Sequence, residues 1–224
     1  REGIAVTYVP DYCVDEVSDH VMALLLTWNR QIGFYDGVAK QGRWKGVSSP
    51  VPLVRLRGQT MGLVGMGRIG RAVAAKAQAF GLRVLGHDPY LPPEASIPPG
   101  VQLVDLPTLL AESDYVSIHT LLNQETRGLI GAEAFAQMKP SAFIVNCARG
   151  PIIDEADLCA ALRDGQIAGA GLDVMEQVAP PADHPLFGLN NVVVTPHVAF
   201  LSQQAVHELE VRTAQATVDV LEGR

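Results

Sequence analysis

A chain of 224 residues, 48% hydrophobic and 18% charged, is long enough to bury one large core. Its formal net charge of −7 and its lack of any basic cluster exclude nucleic acid as an expected direct partner. No apolar run approaches a membrane span and no signal-peptide pattern opens the chain. Cys13, Cys147 and Cys159 have no metal-ligand spacing, so the expectation is no membrane, no metal and a reducing cytoplasm.

The chain starts at Arg1 rather than Met, and residues 3–9 already read like the middle of a fold, which suggests a fragment. Residues 4–9, Ile-Ala-Val-Thr-Tyr-Val, predict a short strand stopped by Pro10. A long helix follows, with Val17, Val21, Leu24, Leu25, Trp28 and Ile32 on one face. The simplest dinucleotide fold begins later, so this helix is expected to pack on a partner subunit or another lobe. Trp28 and Trp44 are read as packing residues. Residues 46–52 are rich in turn formers and lead through Arg57-Gly58 to the first core strand.

That strand ends in Gly65-Met66-Gly67-Arg68-Ile69-Gly70, followed by Val73, Ala77 and Phe80 at helical spacing from Ile69. A lone motif of this kind can also serve a flavin, a methyl donor or a purely structural turn, but strand, glycine turn and helix together point to a dinucleotide site. Gly65 allows the sharp turn, Gly67 lets backbone approach a pyrophosphate, and Gly70 lets the helix lie close to the strand. The helix start offers free N–H groups and a positive dipole end to phosphate. Residues 83–87 form the next strand, and Asp88 ends it, where its carboxylate can accept both adenosine-ribose hydroxyls. The same charge would repel a 2′-phosphate, and no Arg or Lys follows until Arg127, so NAD is favoured over NADP.

Beyond Asp88, residues 89–99 are loop, 102–104 a brief strand, 106–112 a helix and 115–118 a strand. A helix near 133–138, a strand at 143–145, a helix near 155–163 and strands at 167–172 and 192–194 follow. The closing helix carries Val206, Leu209, Thr213, Ala216 and Val220 on one side. This alternation predicts an α/β fold with a doubly wound parallel sheet of Rossmann type.

Ligands bind at the carboxyl edge of such sheets, so residues just past strand ends carry the candidate chemistry. Past 115–118 come His119 and Thr120; past 143–145 come Cys147, Ala148 and Arg149. Past 167–172 comes Asp173, and past 192–194 comes His197. An Arg, an Asp and a His at the cofactor edge suit carbonyl–alcohol redox chemistry, as a cation for an anionic substrate and as proton carriers. Each residue also has a plainer reading: a surface ion pair for Arg149, a cap for Asp173, a satisfied loop histidine for His197. His20, His184 and His207 are read as surface or packing residues, and His119 as lining the adenine side.

The ordered set of motifs resembles the nucleotide-binding part of the D-isomer-specific 2-hydroxyacid dehydrogenases. It comprises Val9-Pro10 with Glu16-Val17-Ser18-Asp19-His20, the glycine turn with Asp88-Pro89, and Met138-Lys139-Pro140. It continues with Asn146-Cys147-Ala148-Arg149-Gly150, Gly171-Leu172-Asp173-Val174 and Thr195-Pro196-His197. The resemblance implies that Arg68 and Ile69 hold the pyrophosphate and that Asp88 holds the ribose. Thr120, Cys147 and Asp173 would lie along the nicotinamide side. Arg149 would bind the carboxylate of a small 2-hydroxy or 2-oxo acid, and His197 would exchange the proton as hydride moves to or from NAD. It also implies a homodimer and a substrate lobe before the chain's start. On that basis residues 1–54 are an N-terminal strand and linking or dimerisation helix, 55–200 the Rossmann domain and 201–224 a second linking helix. The family's corepressor-like, NAD-sensing scaffolds keep the same Arg and His, so that role, or a weakly active homologue, stays open here.

One departure stands out. The family usually places a Glu five residues after the Asp of its Leu-Asp-Val run, where it pairs with the catalytic His. Here that position is Val178, within Met175-Glu176-Gln177-Val178-Ala179. The expectation is a poorly oriented His197 and slow turnover, unless Glu176, Gln177 or another lobe supplies a partner.

Overall fold

The computed structural model describes residues 4–92 and 95–223. Residues 1–3, Arg224, and Pro93 and Glu94 of the expected 89–99 loop lie outside the described residues. Among the described residues, β1 (Thr60–Val64), β2 (Arg83–His87), β3 (Val101–Leu103), β4 (Tyr115–Ile118), β5 (Phe143–Asn146), β6 (Gly169–Leu172) and β7 (Val192–Val194) form one sheet. Its order is β3-β2-β1-β4-β5-β6-β7, and every neighbouring pair is parallel. The chain runs outward from β1 to β3, then returns to start β4 on the other side of β1. That reversal opens a crevice at the carboxyl ends of β1 and β4.

Strand period decides which side chain goes where. In β1, Met61 and Leu63 enter one core layer while Val64 enters the other; in β5, Phe143 and Val145 oppose Ile144 in the same way. The first layer is covered by α1 (Val14–Arg30) and α3 (Arg68–Ala79), and the second by α4 (Leu106–Glu112), α5 (Ala132–Gln137) and α6 (Glu155–Arg163). With both faces covered, the inner strands are apolar throughout rather than alternating. The doubly wound parallel sheet expected from the sequence is therefore present, with strand ends differing by a residue or two.

Several expectations need correction. Residues 4–10 form no strand: Ile4, Val6 and Tyr8 are exposed, and no neighbouring strand pairs their backbone. Strand-forming residues alone cannot make a strand without a ladder partner. The long helix ends at Gln31, whose φ of +52° is left-handed, and α2 (Ile32–Lys40) continues in a new direction, so Ile32 leaves the apolar face. The rest of that face is already used within the chain. Val21, Leu24, Leu25 and Trp28 are buried with Met61, Val73 and Phe143. Trp28 stacks on Phe143 at 5.0 Å, an arrangement that adds ~0.5–1.5 kcal/mol beyond burial. Trp44, also read as a packing residue, is 82% exposed. The closing helix α7 (Gln203–Leu221) buries only Ala205 among its described residues, and its predicted apolar side is left half-open.

Candidate active site

Each glycine of the motif answers a different steric demand. Gly65 has φ +102°, and a Cβ there would lie 2.7 Å from the His119 carbonyl carbon and 2.8 Å from the Thr120 nitrogen. A Cβ on Gly70 would lie 2.2 Å from the Gly65 oxygen. Gly67 faces open space, with nothing within 4 Å of a Cβ. Two glycines thus pack the turn onto β4 and α3, and the third leaves room for a ligand. Gly67 is also the N-cap of α3, with no side-chain cap and no acidic residue in the first turn, so the helix N–H groups remain available to an anion.

Asp88 is drawn in by the same turn. Its Oδ2 accepts the Met66 N–H at 2.9 Å and its Oδ1 accepts the Tyr90 N–H at 3.0 Å. A carboxylate has about four acceptor positions, so both oxygens keep capacity for ribose hydroxyls. Asp88, Gly65, Gly67, His119 and Thr120 line one cleft of about 970 Å³. Arg71 lines it too, with Nη1 on the Ser96 carbonyl at 3.2 Å and Nε on the Gly67 carbonyl at 3.3 Å. The sequence reading sought a cation only after Asp88 and missed this one, which the first turn of α3 swings to the ribose side. Arg68 donates to the Pro10 carbonyl at 3.1 Å, and Ile69 packs partly into the core. The His119 Nε2 is buried without a partner, and burial pulls this ring's pKa down to about 4, so it is neutral at physiological pH.

The second cluster lies at the ends of β5, β6 and β7. Buried Asn146 builds the turn after β5: its Oδ1 accepts the Ala148 N–H at 3.0 Å and its Nδ2 donates to the Arg149 carbonyl at 3.0 Å. Gly150 is required because a Cβ there would lie 2.0 Å from the Met175 carbonyl. That close approach presses the 174–179 segment against the Arg149 turn. The Arg149 guanidinium is exposed and bonds the Ala148 carbonyl at 2.6 Å, and among the described residues it forms no ion pair. Burial first, then the Asp173 charge, push the Cys147 thiol up, so it stays protonated.

His197 is one of two described non-glycine residues with positive φ, at +56°. Such backbone is uncommon outside glycine and persists where surrounding bonds over-determine it. Asp173 supplies them. Its carbonyl accepts the His197 N–H at 2.9 Å, its Oδ1 accepts the Val198 N–H at 2.9 Å, and its Oδ2 accepts the Ala199 N–H at 2.9 Å. These bonds reach residues 197–199 rather than the segment that follows Asp173, so they are not the cap of the plainer reading. His20 is likewise not a bystander, with Nε2 at 2.9 Å from the Thr195 hydroxyl. His184 instead lies 3.3 Å from Glu155. Phe200 bridges two aromatic neighbours edge-on, Tyr12 at 6.5 Å and His197 at 6.0 Å. Arg149, Asp173, His197 and Val178 line a second cleft of about 570 Å³. Leu121 lines the first cleft and Leu122 the second, so the two lie side by side along the sheet edge.

The fold and clefts can be set against known proteins. The family described as D-isomer specific 2-hydroxyacid dehydrogenase, NAD binding domain, matches residues 22–199. A glyoxylate reductase of Korarchaeum cryptofilum is 41% identical over 99% of this chain and 66% of its own. A D-3-phosphoglycerate dehydrogenase of Archaeoglobus fulgidus is 39% identical over 100% of this chain and 42% of its own. The crystal structure of D-lactate dehydrogenase with NAD+ from Lactobacillus jensenii superimposes with a TM-score of 0.86 at 32% identity, covering 99% of this chain and 70% of that one. The chain therefore spans less than two thirds of these first two relatives' lengths.

Proposed function

This chain belongs to the D-isomer specific 2-hydroxyacid dehydrogenases, as their NAD-binding domain, and from that premise we propose that it carries the cofactor and proton-transfer half of an enzyme interconverting small 2-oxo and 2-hydroxy acids. The observation that supports this most is Arg149 and His197 facing one cleft beside the glycine turn. Bound NADH supplies the reducing equivalent, a hydride to C2 of the acid. The Arg149 guanidinium, free of any carboxylate among the described residues, binds the substrate carboxylate and polarises the 2-oxo group. His197 gives its proton to the oxygen that becomes the alcohol, and takes it back in the oxidative direction. Apolar Leu122, Val174 and Met175 line the cleft around both groups and limit water there.

The test is turnover of a panel of 2-oxo acids with NADH by the full-length protein. Reduction of one or more supports the reading. NADH binding with no turnover of any acid would overturn it in favour of a cofactor-sensing scaffold.

Cofactor choice follows from Asp88. A carboxylate and a 2′-phosphate about 4 Å apart repel by ~1–4 kcal/mol depending on local dielectric, or ~5–10³-fold in affinity. NADH should therefore bind at least ~5-fold better than NADPH, and Asp88→Asn should narrow the gap with Arg71 already in the cleft. Fluorescence titration with both cofactors checks this, and equal affinities in the unaltered protein would refute it.

A homodimer and a cytoplasmic location belong to the same reading. The α1 face lends no support to the dimer, since it is buried within the chain; the exposed Ile32, Phe34, Trp44, Leu53 and Val54 offer apolar area instead. Light scattering of the full-length protein at micromolar concentration should show twice the monomer mass. The three unpaired cysteines support the cytoplasm.

A further inference from the structure

His197 sits in a strained loop, and the polar face of α1 grips that loop at both ends. Thr195, the first residue past β7, donates its hydroxyl to Asp173 Oδ1 at 2.6 Å. With its proton spent there, Thr195 Oγ1 can only accept from His20 Nε2 at 2.9 Å, so His20 must carry its proton on Nε2. The chain of bonds runs from His20 N–H to Thr195 O–H to Asp173, whose carboxylate holds the Val198 and Ala199 N–H groups. At the far end, the Ser202 hydroxyl donates to Glu16 Oε1 at 2.7 Å and accepts the Ala205 N–H that starts α7.

Glu16 and His20 are four residues apart on α1, hence on one face and one turn apart. His20 lies between Val17 and Leu24, which are buried, and the helix is pinned further along by Trp28 on Phe143. A rigid element therefore holds residues 195 and 202 from outside while Asp173 holds 197 to 199 from beneath. We propose that His20, with Glu16, acts as a positioning residue for His197, by fixing the two ends of the loop whose strained backbone aims the imidazole into the cleft. Neither residue touches substrate in this account, which rests on the dehydrogenase reading above.

The experiment uses full-length protein carrying His20→Leu, His20→Gln, Thr195→Val and the His20→Leu/Thr195→Val pair. A Gln amide N–H reaches about where the His Nε2–H lies, so it preserves the donor. His20→Leu should lower kcat for 2-oxo acid reduction by ~10-fold or more, the scale of a small misplacement of a reacting group. NADH affinity and Tm should stay near wild type, a split that a general loss of structure would not give. His20→Gln should recover most of the rate, and Thr195→Val should cost little more once His20→Leu has broken the chain. A His20→Leu enzyme as fast as wild type, or a His20→Gln enzyme as slow as His20→Leu, would overturn the proposal. If wild type turns over no 2-oxo acid, the dehydrogenase reading falls, and amide exchange decides the positioning claim alone. Faster exchange at residues 197–199 in His20→Leu than in His20→Gln supports it; equal exchange overturns it.

Discussion

In the full-length protein, His197→Asn should slow 2-oxo acid reduction by ~10²-fold or more, with the loss in kcat and little change in NADH affinity. Asn is the informative replacement because position 197 has φ +56°, a conformation Asn tolerates better than most residues. An Ala there would mix loss of the proton carrier with backbone relaxation. Asn keeps the loop but holds no exchangeable proton of suitable acidity. Arg149→Lys should behave differently. The positive charge stays, but the planar fork proposed to hold carboxylate and 2-oxo oxygen together is lost, so kcat/KM should fall ~10–10²-fold with much of the loss in KM. The contrast separates proton transfer from substrate holding. A His197→Asn enzyme that retained wild-type kcat would remove His197 from the chemistry whatever its position in the cleft.

What the sequence made legible was local or governed by strand ends. The β1–turn–α3–β2 unit depends on residues within one stretch, and the three glycines act as their types suggest. Arg149 and His197 were found because parallel strands deliver the residues after them to one edge. The misreadings share a cause. Residues 4–9 have the composition of a strand, but strand formation needs a neighbour that composition does not report. Gln31 breaks the helix in a left-handed conformation that its residue type does not announce. Asn146, Arg71 and His20 gain their roles from where the fold puts them. His20 meets Thr195 across 175 positions of chain, and no local pattern carries that information. The apolar face of α1 was legible as a face, yet its partner was the sheet rather than a second subunit.

Val178→Glu should raise the rate of 2-oxo acid reduction, by ~10²-fold at most, if the usual carboxylate partner of the catalytic His is what this chain lacks. Val178 is 96% exposed and lines the same cleft as His197, so a Glu there costs little stability and adds a carboxylate to that cleft. Among the described residues no carboxylate forms an ion pair with the His197 ring, whose aromatic neighbour is Phe200 at 6.0 Å. Glu176 and Gln177 line the cleft as well, but neither hydrogen-bonds His197; the Glu176 backbone N–H is tied to Glu155. A carboxylate beside an imidazole favours the protonated ring and restricts its rotation. Reduction needs the protonated ring, which the added Glu should favour and aim. Glu176→Gln is the control: if Glu176 already serves His197 in the working enzyme, that change should slow reduction and Val178→Glu should add little. An unchanged rate in Val178→Glu, with Glu176→Gln equally silent, would mean that His197 needs no carboxylate here and that the loop held by Asp173 does the orienting alone.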